Sequence, residues 1–283
     1  MRRTRAVGHA TLLGMLAWGA VSGIVMLGGS AATLVAGETP VVGFAQVMLA
    51  ALMVLLWGSA TVAGVAALCR QCRHGIGLAV WVTDHRVAAA SRVVSAAARV
   101  GCPVIQVDDT TPFAFTFGVW RPRVVVSAGL VGAATFDELV AVLWHEDFHR
   151  RHRDPLRVLM VRTWSAVFFF VPLVRVLLQR LLDRQELRAD RVAVRACGVA
   201  PVAGALFKAT GAPEQATGTA LAAMGDPALL AARVTQLETG RRPVSRTSMR
   251  SAAVLTSLPG LALIVGYGLL MLEVCMGLRS CCG

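Results

Sequence analysis

Three long stretches without a charged residue, 10–37, 41–69 and 251–272, constrain this chain more than any other feature. Each is long enough to cross about 30 Å of hydrocarbon as a helix, which takes about 20 apolar residues. Inside a bilayer a segment must satisfy its own backbone hydrogen bonds, so three transmembrane helices are expected. Composition agrees: 56% of the 283 residues are hydrophobic and only 16% are charged, unlike a water-soluble domain.

The net charge of +12 is almost wholly arginine, with Lys208 the only lysine. Arg2, Arg3 and Arg5 precede the first stretch, Arg70 and Arg73 follow the second, and Arg241, Arg242, Arg246 and Arg250 precede the third. By the positive-inside rule the N-terminus and residues 70–250 are cytoplasmic. The turn at Glu38 and the C-terminal tail with Cys281 and Cys282 are then external. A multi-pass protein of the cytoplasmic membrane is expected, with lipid as a partner. Basic residues at the ends of apolar runs, with no aromatic-interleaved patch, argue against direct nucleic-acid binding. The first stretch exceeds the roughly 7–15 residues of a signal-peptide core, so an uncleaved span is expected. Seven cysteines give no even disulfide framework, and the Cys69/Cys72 pair has no second pair to complete a metal site.

The expected organisation is a membrane region over 1–72 with two spans, a cytoplasmic domain over 73–250, and a last span with a short external tail over 251–283. The fold class expected is mainly α, with a small α+β body. Residues 163–174 are apolar but too short to span, and Pro172 breaks helices. A helical hairpin over 156–182 that dips toward the bilayer is predicted, with both arms returning to one side. Helices are predicted over 87–100, 136–154, 178–196 and 227–238, and strands over 104–107, 116–120 and 124–127. Residues 199–227, rich in Ala, Gly and Pro, are expected to be loop or poorly formed helix.

The chemistry sits in His145-Glu146-Asp147-Phe148-His149, an HExxH pattern. On a helix His145 and His149 lie at i and i+4, so both imidazoles leave one face and can hold a single Zn2+. Glu146, beside the first histidine, is placed to act as general base toward water; this pairing of roles is an established reading of the motif. Leu139, Val142 and Leu143 anchor the helix. Glu186, in Glu186-Leu187-Arg188-Ala189-Asp190, is the expected third ligand. Two histidines and one carboxylate leave an open position, as catalytic rather than structural zinc does. Asp190, one turn on, is placed to fix a ligand imidazole from behind, and Ala189 is small enough for close helix approach. Asp154-Pro155 is expected to end the first helix, with Asp154 pairing to Arg184 or Arg188. Arg188, Arg191 and His152 are candidate oxyanion donors.

Five segments together resemble the BlaR/MecR-type membrane metallopeptidases, and more distantly the HtpX and CAAX-prenyl-protease families. They are Pro112 to Gly118, Arg121 to Ser127, Glu138-Leu139 ahead of the HExxH, Arg150 to Pro155, and Glu186 to Asp190. The resemblance implies a zincin-like cytoplasmic domain holding one Zn2+ and acting on a protein substrate, such as a BlaI/MecI-type transcriptional repressor. An HtpX-like quality-control protease and a non-catalytic membrane scaffold are the rival expectations. The resemblance also implies that Phe115, Thr116, Phe117 and Gly118 lie on a strand whose edge binds substrate main chain. The sensor-transducers of that group carry a large extracellular penicillin-binding domain after the last span. Only residues 277–283 follow here, so a sensorless form is expected.

Overall fold

The computed structural model describes residues 40–208, 227–241 and 253–269, except 263, 264 and 267. Internal contacts group the chain into two units, Met1–Ala66 with Ala166–Leu173 and Ala252–Gly283, and Ala67–Ser165 with Val174–Ser251. The described structure is mostly helical, with one four-stranded sheet.

Helix α1 runs over Pro40–Asp84. Its segment Ala51–Asp84, which contains an 18-residue window of mean hydropathy 2.0, is the one described helix long and apolar enough to cross a membrane. The uncharged stretch 41–69 lies within α1, but the helix does not end with it. No proline interrupts residues 69–84, and Gly75 and Gly77 each cost only about 1 kcal/mol relative to alanine. Arg70 and Arg73 mark where a span can leave hydrocarbon, not where helical hydrogen bonding stops. At 45 residues α1 is about 68 Å long, roughly twice the hydrocarbon thickness. The stretch 10–37 lies outside the described residues. Within 251–272 the apolar helix Ala253–Ala262 is described, too short by itself to span.

In the first unit, small residues set the packing. A Cβ on Gly64 would meet Val167, and one on Gly260 would meet the Phe170 carbonyl oxygen. Such close approach through glycine is usual between membrane helices. Trp57 meets Phe170 edge-on, and the Leu173 N–H donates to Ser257 Oγ at 2.8 Å.

In the second unit, β1 (Arg86–Val87), β2 (Val104–Val107), β3 (Ala114–Phe117) and β4 (Arg123–Ser127) form a sheet of order β1-β2-β4-β3. β2 and β4 are parallel; the other pairs are antiparallel. Val87 belongs to β1, so the helix expected from 87 begins later, as α2 (Ser91–Val100). Gln106 Oε1 accepts from Ala90 N–H between the two elements. The strand expected over 116–120 is Ala114–Phe117. It stops at Gly118, whose φ of 96° suits glycine and whose missing Cβ admits the Arg121 carbonyl.

Alternation puts both sheet faces in a core. Val124 and Val126 join Ala114, Leu130, Leu139, Leu143 and the α2 residues Val93 and Ala96 on one face. Val125, Phe113 and Phe115 face Leu78 and Val82, near the end of α1, on the other. A strand buried on both faces reads as an unbroken apolar run, here three valines. Helix α3 (Ala128–Ala133) follows β4 and leads to α4 (Phe136–His152), α5 (Asp154–Val167) and α6 (Pro172–Cys197). The chain turns between α5 and α6, just before Pro172. Residues 199–227 depart from expectation at their start, where α7 (Val199–Lys208) is regular. Its Gly204 lies where a Cβ would strike Glu138, and Lys208 pairs with the same carboxylate at 2.6 Å. Helix α8 is Pro227–Thr239. Ala141, Ala193, Val202 and Leu237 close a small core that joins α4, α6, α7 and α8.

Candidate active site

Helix α4 is fixed at both ends. Thr135 caps its N-terminus, and Glu138 reaches back to the Thr135 N–H to complete a capping box. Leu139 and Leu143 are fully buried beneath it, each worth about 1.5–3 kcal/mol of apolar transfer. The helix ends at His152, not at Asp154, because Arg153 takes the left-handed conformation (φ 53°). A non-glycine residue in that region is uncommon. The turn has a structural result. On an unbroken helix Asp154, five residues past His149, would point about 140° away. Reversed at Arg153, its Oδ2 lies 2.7 Å from His149 Nδ1 while Oδ1 takes Arg157 Nη1, also at 2.7 Å. Asp154 therefore serves His149, and not Arg184 or Arg188.

Helix α6 brings the second half of the site. Ala189 and Ala193, both fully buried, let it lie close against its neighbours. Asp190 Oδ1 is 2.9 Å from His145 Nδ1, and Glu186 lies one turn back on the same face. Its carboxylate oxygens stand 3.5 Å from His145 Nε2 and 3.6 Å from His149 Nε2. The two Nε2 atoms are 3.1 Å apart. His145, His149 and Glu186 are the group that offers ligand atoms to one cation among the described residues.

These separations suit zinc. Two ligands on a tetrahedral ion at 2.0–2.1 Å stand about 3.3–3.4 Å from each other. Each imidazole places Nδ1 against a carboxylate, so a neutral ring would turn its Nε2 lone pair toward the shared ion. The ligand side chains keep 11 to 16% exposure while Asp190 and Asp154 behind them keep 0 and 9%. The front of the site is thus more open than its back.

Charge is balanced within the cluster. Burial disfavours the imidazolium of His145, but hydrogen bonds to Asp190 and Glu186 outweigh it and lift its pKa to about 10. His149 is also raised: against its burial stand Glu186 and Asp154. Burial works against the Glu186 carboxylate too, yet the two histidines hold it down at about 2. Asp190 lies well below the ordinary carboxylate range, opposed by burial and held by His145 and Arg233.

Arg233 enters from α8, only 7% exposed, and grips Asp190 with Nε to Oδ2 and Nη2 to Oδ1, both 2.7 Å. Its Nη1 is 3.8 Å from Glu186. Gln236, one turn on, donates to the Leu187 carbonyl. Neither Arg233 nor Asp154 stands out as a site residue from sequence. The available signals were a lone arginine in the apolar helix Pro227–Thr239 and an Asp-Pro step just past the motif.

Glu146 receives the Thr116 hydroxyl from β3, which lies 2.8 Å from Glu146 Oε2 and 2.9 Å from its carbonyl oxygen. β3 is the last strand of the described sheet. Phe115 and Thr116 are buried, while Phe117 and Gly118 are partly exposed. The candidate oxyanion donors from the sequence are Arg188, Arg191 and His152. Arg188 is exposed, two residues and about 200° round α6 from Glu186, and Arg191 is on Arg188's side. His152 is exposed, stacks on Phe148 and bonds the Phe148 carbonyl. Cys102 is no nucleophile: burial, then Asp147 beside it, push its thiol up to about 12. Cys69 and Cys72 are free and exposed on α1.

The family described as BlaR1 peptidase M56 matches residues 29–235. A comparison with curated proteins returns no match. The matched stretch takes in every residue of the cluster, from Thr116 through the HExxH helix and Glu186 to Arg233. By that match the chain belongs to the M56 family of BlaR1 peptidases, a family of membrane-associated peptidases.

Proposed function

We propose that the chain is a zinc endopeptidase of the cytoplasmic membrane, with His145, His149 and Glu186 holding one Zn2+ and Glu146 acting as general base. The observation that carries this reading is the facing pair of Nε2 atoms 3.1 Å apart, with Glu186 against both and a carboxylate behind each ring. A zinc ion held there supplies Lewis acidity toward water and a peptide carbonyl. The chain's own residues do the rest. Asp190 and Asp154 fix which ring nitrogen carries the proton. Arg233 keeps Asp190 ionised. Glu146 takes a proton from the attacking water and returns it to the departing amine, so the peptide C–N bond breaks with no net proton change. The end of β3, at Phe117, and the adjoining Gly118 receive substrate main chain. Multiple spans, with the site on the cytoplasmic side, follow from the arginine placement. A cytoplasmic regulator of the BlaI/MecI repressor type is the proposed substrate, supported by family resemblance.

The test compares wild type with Glu146→Ala for cleavage of co-expressed cytoplasmic proteins. Loss of cleavage with zinc retained is expected. Equal cleavage by both would reject Glu146 as the base.

A further inference from the structure

We infer that Thr116 is a positioning residue for Glu146, with its hydroxyl setting where the carboxylate points. The catalytic consequence rests on the peptidase reading above; the contact itself does not.

Thr116 is 2% exposed and lies on the same face of β3 as Ala114, the face turned toward α4. Its neighbours Phe115 and Phe117 point the other way and belong with Phe113, Trp81, Leu78 and Val82. That aromatic layer holds the register of β3. A slip of one residue would carry the hydroxyl to the opposite face and bury a phenylalanine against Glu146. Threonine is branched at Cβ, so its χ1 is restricted. The sheet therefore fixes Cβ, and branching limits the places Oγ1 can take.

Both oxygens within reach of that hydroxyl belong to one residue: Glu146 Oε2 at 2.8 Å and the Glu146 carbonyl at 2.9 Å. A hydroxyl has one proton to give and can turn it to either acceptor. Contact with the carbonyl places Oγ1 against the α4 backbone, and contact with Oε2 ties the carboxylate to that same point. A glutamate side chain with three rotatable bonds is thereby reduced to a narrow range, with Oε1 left for water. A general base must lie within hydrogen-bond reach of the proton it removes, and small misplacement is costly in rate. Thr116, read from sequence as part of a substrate-binding strand, has its side chain committed to the base.

The test uses full-length protein in detergent with fluorescein-labelled casein as probe, comparing wild type, Thr116→Ser, Thr116→Val and Glu146→Ala. Valine keeps the shape and removes the hydroxyl; serine keeps the hydroxyl. For Thr116→Val, kcat is expected to fall about 10- to 100-fold, with zinc content unchanged and KM within about twofold. Thr116→Ser is expected within about threefold of wild type. A second measurement needs neither substrate nor metal: melting temperatures of metal-free Thr116→Val, Glu146→Ala and the double variant. The double variant is expected to lose less than the sum of the two singles. Wild-type kcat in Thr116→Val beside an inactive Glu146→Ala overturns the positioning role and leaves the base assignment standing. Additive melting shifts overturn the contact. Wild-type cleavage by Glu146→Ala overturns the base assignment and with it the catalytic consequence, while the melting cycle still decides the contact.

Discussion

Replacing Asp154 tests how the site holds its second histidine. The carboxylate accepts from His149 Nδ1 through Oδ2 and from Arg157 through Oδ1, both at 2.7 Å, on a side chain 9% exposed. Short, buried, charge-assisted bonds of this kind are about twice as strong as neutral ones. Removing such a partner of a metal-binding histidine lowers metal affinity about 10- to 100-fold, or roughly 1.4–2.7 kcal/mol. The two substitutions should grade within that range. In Asp154→Asn the amide oxygen can still accept from His149. Arg157, 43% exposed at its side chain, can swing into water with little loss, so about a 10-fold weakening is expected. In Asp154→Ala no acceptor remains and the ring is free to turn, so about 100-fold is expected. Arg157→Ala, which leaves the His149 bond intact, should stay within about threefold. Titration against a chromophoric chelator measures all three. Zinc affinity at the wild-type value in Asp154→Ala, or a larger loss in Asn than in Ala, would contradict this role for Asp154.

Arg233→Met leaves the buried Asp190 charge with His145 as its remaining partner; a broken buried pair costs about 3–5 kcal/mol, and the low end applies here because His145 stays. Thermal unfolding should register that loss, and an unchanged melting temperature would count against Arg233 as a buried tie. Zinc binding should release protons at pH 7, since both imidazoles are raised above their ordinary 6.5. Calorimetry in buffers of different ionisation heat measures the release, and buffer-independent heats would contradict it. In the metal-free protein the His145 contribution to stability is complete below pH 6.5 and lost as pH rises to about 10. The Glu186 contribution is complete above 4.5 and lost as pH falls to about 2. Melting temperature should therefore peak between about pH 5 and 6.5, and a peak above pH 8 would contradict the signs.

The residues of the cluster differ in how far the sequence exposes them. His145, Glu146 and His149 are legible because a helix turns i and i+4 to one side, and Glu186 and Asp190 repeat that spacing. Asp154 was hidden by the left-handed turn at Arg153, which no glycine announces. Arg233 was hidden because its partner is 43 residues away and only tertiary packing joins them. The element boundaries show a similar division. Gly118 ends β3 earlier than the apolar run suggests, and α1 passes through Arg70 and Arg73 because charge limits burial in lipid and not helix formation. Helix α7 forms from a composition that looks loop-like because Gly204 is a packing position against Glu138.

The proposed activity depends on α4 and α6 meeting at one ion. Zinc analysis of purified full-length protein, with X-ray absorption at the zinc edge, tests that directly. One zinc per chain with two nitrogen and further oxygen ligands is predicted, falling to a small fraction of that in Glu186→Ala. Full zinc content and an unchanged absorption spectrum in Glu186→Ala would contradict it.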